Sequence, residues 1–308
     1  RSQLDGAHPL ALVGHDRLQP GAQRWERKQS LPEDVAQGIR AVADELGSSV
    51  RDVCIGAFQR AVATVAYRSR TFVGLVENNR PLVQGGDSLV GCFLNTIPLL
   101  CVQGDRGWRE HLTDTAAQLR ELKHHGRLPL SDIARLGDLG LNQASAFQVM
   151  FSYVDFHVYA GQSLPQRQMD KIAIHSYENT SIPLAFTASS TLGAFEISVH
   201  SWLDDEARRS ADVLFDIYEA CLRELAVHGL EAASPRVPEA ALAVSQQANC
   251  AQYAYESASL WQLLQRQLAA GGHRMAIRFG DEMWSYDTLS ARTAQLADAL
   301  RRHGVGEG

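Results

Sequence analysis

The chain has 308 residues, 45% of them hydrophobic and 21% charged, with a formal net charge of −6. This is an ordinary globular mix with ample material for a core, enough for one large domain or two smaller ones. The acidic balance argues against a nucleic-acid or anionic-membrane surface, and no apolar run approaches the ~20 residues that span a bilayer.

Residues Arg1–Gln29 are polar and punctuated by Pro and Gly, and read as a connecting arm anchored by Trp25. Ser30-Leu31-Pro32-Glu33 predicts a helix start, with Ser30 as N-cap and Glu33 three residues on. Val35, Ile39, Val42 and Leu46 then recur at helical spacing up to Gly47. Ser49 opens a second helix, through about Tyr67, that is apolar on most faces and so deeply buried. Thr71–Val76 is a short strand leaving into the polar exit Glu77-Asn78-Asn79-Arg80-Pro81, and Gly85-Gly86-Asp87 is a turn with no phosphate-loop pattern around it.

Val90–Leu100, VGCFLNTIPLL, sets a Gly, an aromatic, an Asn-Thr pair and a Pro inside an apolar run. Asn95 and Thr96 carry hydrogen-bonding groups where burial is costly without partners. Pro98 lacks a backbone donor, which argues against a central strand. The stretch is expected to be either a structured crossing near a cavity, with Asn95 and Thr96 fixing backbone, or a strand end capped by an Asn-Thr turn.

Gly107–His124 reads as an amphipathic helix with Trp108, Leu112, Thr115, Leu119 and Leu122 on one face. His124-His125 has no acidic residue or Cys close behind it, so it reads as a helix C-terminal pair favoured by the dipole, not as a metal or base site. A short helix is expected within Leu128–Gly140, and strands at Phe147–Tyr153, Ile172–His175, Pro183–Ser189 and Phe195–Ser201, the last two as a hairpin. Asp204 caps a long helix from about Asp205 to Val227. The class is α/β, a mixed sheet layered with helices.

Glu231–Ala248 is rich in Ala, Pro and Ser and reads as a linker. The pattern then restarts with a helix at Leu260–Leu268, a strand at Met275–Phe279, a turn at Gly280-Asp281 and a helix at Asp287–His303. One hairpin and two helices do not enclose a core, so these last residues are expected to open another domain. A start at Arg1, without Met, likewise suggests a piece of something longer. The expected division is 1–230 for the first lobe, 231–256 for the linker and 257–308 for the start of the next domain. Cys54, Cys92, Cys101, Cys221 and Cys250 form no C-x-x-C pair, and the first four read as core thiols of a reducing, cytoplasmic compartment. Asn179-Thr180-Ser181 matches a glycosylation sequon by coincidence.

Gly91-Cys92-Phe93-Leu94-Asn95-Thr96 resembles the glycine–aromatic–Asn-Thr signature of condensation domains in nonribosomal peptide synthetases. Asn79-Arg80-Pro81 resembles the "GRP" loop before that signature, and Phe147–Tyr153 the family's "FQVMF" strand. HGRLPLS, from His125 to Ser131, sits where the family has H-Q-D-x-P-F-E; His125 and Pro129 match, whereas Gly126, Arg127, Leu130 and Ser131 depart. Leu260–Ala269 with Ala276–Glu282 resembles the opening of an adenylation domain, and Trp284-Ser285-Tyr286-Asp287-Thr288-Leu289 its first core motif. The family's His-His-x-x-x-Asp-Gly motif has no counterpart, because behind His124-His125 the Asp and Gly positions hold Pro129 and Leu130.

The resemblance implies a chloramphenicol-acetyltransferase-like lobe, the C-terminal half of a condensation domain, followed by the first part of an adenylation domain. It implies amide formation between carrier-bound thioesters in the whole protein and an inactive fragment here, with no catalytic residue. Arg80, Gly91, Phe93, Asn95 and Thr96 would shape the substrate channel. The implied partners are carrier domains bearing phosphopantetheine, the N-terminal lobe and the rest of the adenylation domain. ATP and Mg would serve only a complete adenylation domain, and no metal, nucleic acid or membrane is expected. The alternatives are a stand-alone acyltransferase using coenzyme A and a non-catalytic carrier-docking module.

Overall fold

The structure is a computed structural model and describes residues 5–12, 25–66, 68–81, 83–104, 106–136, 147–155, 182–190, 195–201, 205–233 and 258–306. The chain divides into two compact units, Arg1–Ser245 and Gln246–Gly308.

In the first unit the described strands are β1 (His8–Pro9), β2 (Trp25–Leu31), β3 (Arg70–Asn78), β4 (Leu94–Val102), β5 (Val149–Val154), β6 (Leu184–Ser189) and β7 (Phe195–Ser201). They form one mixed sheet. β3, β5 and β6 run parallel to one another, β6–β7–β2 is antiparallel, and β4 pairs antiparallel with β3 along its full length. The described helices are α1 (Glu33–Leu46), α2 (Val50–Val65), α3 (Trp108–His125), α4 (Leu130–Leu136) and α5 (Asp205–His228).

One apolar face of the sheet meets α2 and α5, and α1 packs on these two helices in the same core. Helix α2 is buried at every residue from Val53 to Ala63, as its all-round apolar sequence predicts. Its start is fixed by Ser49, whose side chain accepts from Asp52 N. Phe58, fully buried on α2, stacks on Phe151 of β5 at 4.6 Å and meets Phe186 of β6 and Tyr218 of α5 at 5.1 and 5.4 Å. These four rings tie two helices to two central strands. On the other face the described apolar cluster is small, built on Ala7, Phe72 and Phe147.

Several expectations are corrected. Residues 25–31 are not part of an arm but strand β2, paired with β7 from Trp25↔Ser201 to Leu31↔Phe195. Ser30 lies inside that strand, and Pro32 precedes α1 without a side-chain cap. β2 was hidden because it is an edge strand. Glu26 and Lys28 stay exposed, which blunts edge-to-edge pairing, while half-buried Arg27 turns to the helix side and reaches Asp212 at 2.8 Å and Asp216 at 2.5 Å on α5.

Leu94–Val102 is a strand rather than a crossing. Pro98 fits because β4 is at the edge. The Leu100 carbonyl accepts from Gln59 Nε2 at 2.7 Å, so alternate carbonyls point away from β3, and Pro98, two residues earlier, would have aimed its N–H outward as well. No ladder bond is lost.

Cys54, Cys101 and Cys221 are buried, and burial pushes each thiol up in pKa, but Cys92 is exposed. The strand expected at Ile172–His175, the sequon at Asn179, the Asp204 cap and Cys250 lie outside the described residues, as does most of the linker from residue 234 to 257.

The second unit comprises α6 (Leu260–Gly271), the antiparallel pair β8 (Met275–Phe279) and β9 (Glu282–Ser285), and α7 (Tyr286–Arg302). Ser259 and Gln262 form a capping box at the start of α6, and Ser285 caps α7 by accepting from Thr288 N. Large apolar side chains, among them Leu260, Met275, Phe279, Met283 and Leu296, stay exposed, with Phe279 at 83%. So little burial is what a helix–hairpin–helix of this size allows. Among the described residues of the chain no helix is long and apolar enough to cross a membrane.

Candidate functional site: the cleft at the β3–β4 strand ends

The sequence from Asn78 to Asn95 turns the chain from the end of β3 into β4, and the two strand ends hold the segment that leaves α3. Antiparallel pairing runs to Asn78↔Leu94, and Asn79 N adds a bond to the Phe93 carbonyl at 2.8 Å. Asn95, on the helix-covered face of β4, donates through Nδ2 to the carbonyls of Gly126 and Leu128 at 2.7 and 2.8 Å. Asn79 Nδ2 donates to the same Gly126 carbonyl at 2.7 Å. These carbonyls follow the last turn of α3, where a helix leaves its acceptors unsatisfied. The two asparagines therefore serve as a side-chain cap supplied by the sheet.

Arg80 fastens the intervening loop. Its Nη1 donates to the carbonyls of Gly86 and Leu89 at 3.1 and 2.7 Å, and its guanidinium lies 4.5 Å from the Phe93 ring centre. Its backbone N–H donates to Asn78 Oδ1 at 3.0 Å, closing an Asx turn. Gly91 has φ 154°, a conformation that side-chain-bearing residues rarely adopt, which accounts for the glycine of that motif.

Between the loop and the helix exit lies an open cleft of about 470 Å³, lined among others by Asn79, Cys92, Phe93, Asn95, Arg127 and Pro129. Of the expected site residues, Phe93 and Asn95 line it, whereas Arg80 and Gly91 support it from the loop. Thr96 does not belong to it. Alternation along β4 turns Thr96 to the opposite face, where its methyl lies over Gly74 beside Phe147. Asn79, Cys92 and Arg127 also line the cleft and were not among the expected site residues. Asn79 was signalled only by its place next to Arg80.

None of the described cleft-lining side chains is a carboxylate or an imidazole; they offer apolar surface, two amides, one cation and the Cys92 thiol, a set suited to binding and orienting. His124 and His125 are exposed in the last turn of α3, and no metal-binding cluster occurs among the described residues.

These features coincide with a family. The family model for the condensation domain matches residues 1–224. The chain belongs to the condensation-domain family. One polypeptide of the linear gramicidin synthase of Brevibacillus parabrevis is 23% identical over the whole of this chain, and the AMB antimetabolite synthetase AmbE of Pseudomonas aeruginosa is 31% identical over 41% of it. The chain spans 6% of the length of either relative. Among solved structures, the nonribosomal peptide synthetase FmoA3 superposes with a TM-score of 0.58 at 18% identity, covering all of this chain and 35% of that one. The fold is thus that of condensation-domain structures, a mixed sheet layered with helices.

A second cavity, of about 240 Å³, lies between α2, β4 and α3 in this condensation-domain unit and is lined by Gln59, Arg60, His111, Asp114 and Gln118 among others. His111 Nε2 lies 2.8 Å from the Gly56 carbonyl. Burial pushes the imidazole down to about 4, with Arg60 and Arg106 adding to the shift, while the Gly56 bond and Asp114 oppose it. The folded state therefore resists a proton that the unfolded chain takes up near its ordinary value of 6.5. His111 favours the fold fully above about pH 6.5, and that contribution falls by about 3 kcal/mol as pH drops to about 4. Urea unfolding over this range should show the slope, and His111→Gln, which keeps a donor for Gly56, should flatten it.

Proposed function

We propose that residues 1–230 are the C-terminal lobe of a condensation domain in a nonribosomal peptide synthetase, joined by a linker at 231–256 to the opening segment of an adenylation domain at 257–308. The observation that carries the first part is the family match over residues 1–224, on a lobe whose signature residues Arg80, Phe93 and Asn95 build one cleft. The adenylation part is supported by the motif resemblance of Trp284–Leu289 and by the exposed apolar side chains of a unit too small to bury them.

In the complete synthetase, two carrier-tethered substrates are held at high effective concentration, and an acceptor amine attacks a donor thioester. The lobe contributes a wall. Phe93, Leu94 and Pro129 offer apolar surface and Arg127 a cation, which suits a pantetheine arm with a phosphate at its root. The proton-transferring histidine belongs to the other lobe, ATP and Mg belong to a complete adenylation domain, and the compartment is the cytoplasm.

A fragment of this kind exposes the face that its missing partner lobe covers. The chain should bind a hydrophobic dye and take up isotope-labelled carrier protein only weakly. A monodisperse chain that binds no dye and saturates with carrier would instead favour a docking module.

A further inference from the structure

Asn79 and Gly126 meet across 47 residues of sequence. The Asn79 amide donates to the Gly126 carbonyl at 2.7 Å, and its Oδ1 lies 2.6 Å from where a Cβ on Gly126 would stand. Carbon and oxygen do not approach so closely, so a side chain at 126 must displace the Asn79 amide, one of the two that hold its own carbonyl. Backbone freedom does not explain this glycine. Gly126 has φ −56° and ψ −20°, an ordinary right-handed helical conformation open to residues with side chains. Space explains it.

The two positions therefore compete for one space. We infer that they are coupled. The gap between the end of β3 and the end of α3 takes a side chain from 79 or from 126 but not both, and this chain roots it at 79. Asn79 is then a positioning residue. It fastens the wall from Gly126 to Pro129, which carries Arg127, to the strand that carries Arg80. This deepens the account of the cleft and rests on that account for the cleft's use.

The test uses the full chain with Cys250→Ser, so that Cys92, the exposed thiol among the described cysteines, reports on the cleft through its rate with Ellman's reagent. N79G, G126Q and N79G/G126Q are compared by thermal melting. The double variant should melt at least about 3 °C above the sum of the two single shifts, which is a coupling of the size contacting residues show; any smaller excess overturns the proposal. If G126Q alone does not fold, G126A and N79G/G126A decide by the same criterion.

The Cys92 rate, changed about threefold or more in N79G, should return toward the parent value in the double variant. A rate that stays altered while the melting temperature recovers would overturn the positioning role. Neither measurement involves carrier domains, so failure here and failure of the proposed condensation role are separate results.

Discussion

Phe58→Ala is expected to destabilise the first unit by about 4–5 kcal/mol, at the upper end for a buried aromatic truncated to alanine. The ring is fully buried and touches three others at 4.6–5.4 Å, from α5, β5 and β6, so no single neighbour can move in to fill the space. A domain of this kind has about 5–15 kcal/mol of stability in total, so the variant should lose roughly a quarter of it or more. Phe58→Leu, which keeps most of the volume, should cost about 1–2 kcal/mol. Urea midpoints with unchanged slope are the measurement. A cost below about 1 kcal/mol for the alanine variant would mean that these four rings are not the joint between helices and sheet.

Asn95→Asp should be the most damaging small change at the cleft. The Asn95 amide donates to two carbonyls at 2.7 and 2.8 Å. A carboxylate of the same shape would face both with acceptors only, losing two bonds and adding repulsion, for about 2–4 kcal/mol at pH 7. Asn95→Ala, which removes the donor without the repulsion, should cost about 1–2 kcal/mol because Asn79 still holds the Gly126 carbonyl. The aspartate variant should recover as pH falls, because the folded state favours the protonated acid and its pKa is raised there; the stability deficit is full at high pH and shrinks through the acid range. Equal melting temperatures for the aspartate and alanine variants at pH 7 would show that Asn95 is not the donor.

Local chemistry explains which parts of this fold could be read ahead of the structure. Helices α1, α2, α3 and α5 announce themselves through apolar periodicity, and the Ser49 cap is where the sequence puts it. β2 does not, because an edge strand clothed in Arg27, Lys28 and Gln29 has no apolar alternation to show. Pro98 was informative, but about the edge rather than the absence of a strand. Asn95-Thr96 looks like a unit in sequence and is not one in space, since neighbouring strand residues point to opposite faces. The partners that give Asn95 its role, Gly126 and Leu128, lie 31 and 33 residues away, and only the packing of α3 against the sheet brings them there. The cleft was therefore legible as a motif, while its Asn79–Gly126 lock was not.

The claim that most depends on all of this is that the chain supplies one wall of an amide-forming site and none of its proton transfer. It is tested most directly by incubating the 308-residue chain with a donor carrier domain loaded with an aminoacyl thioester and an acceptor carrier domain loaded with a second one, then analysing the carriers by intact-protein mass spectrometry. Both carriers should keep their original loads, apart from the hydrolysis seen without the chain. Dipeptidyl product on the acceptor carrier, formed by this chain alone and above the chain-free control, would contradict the account.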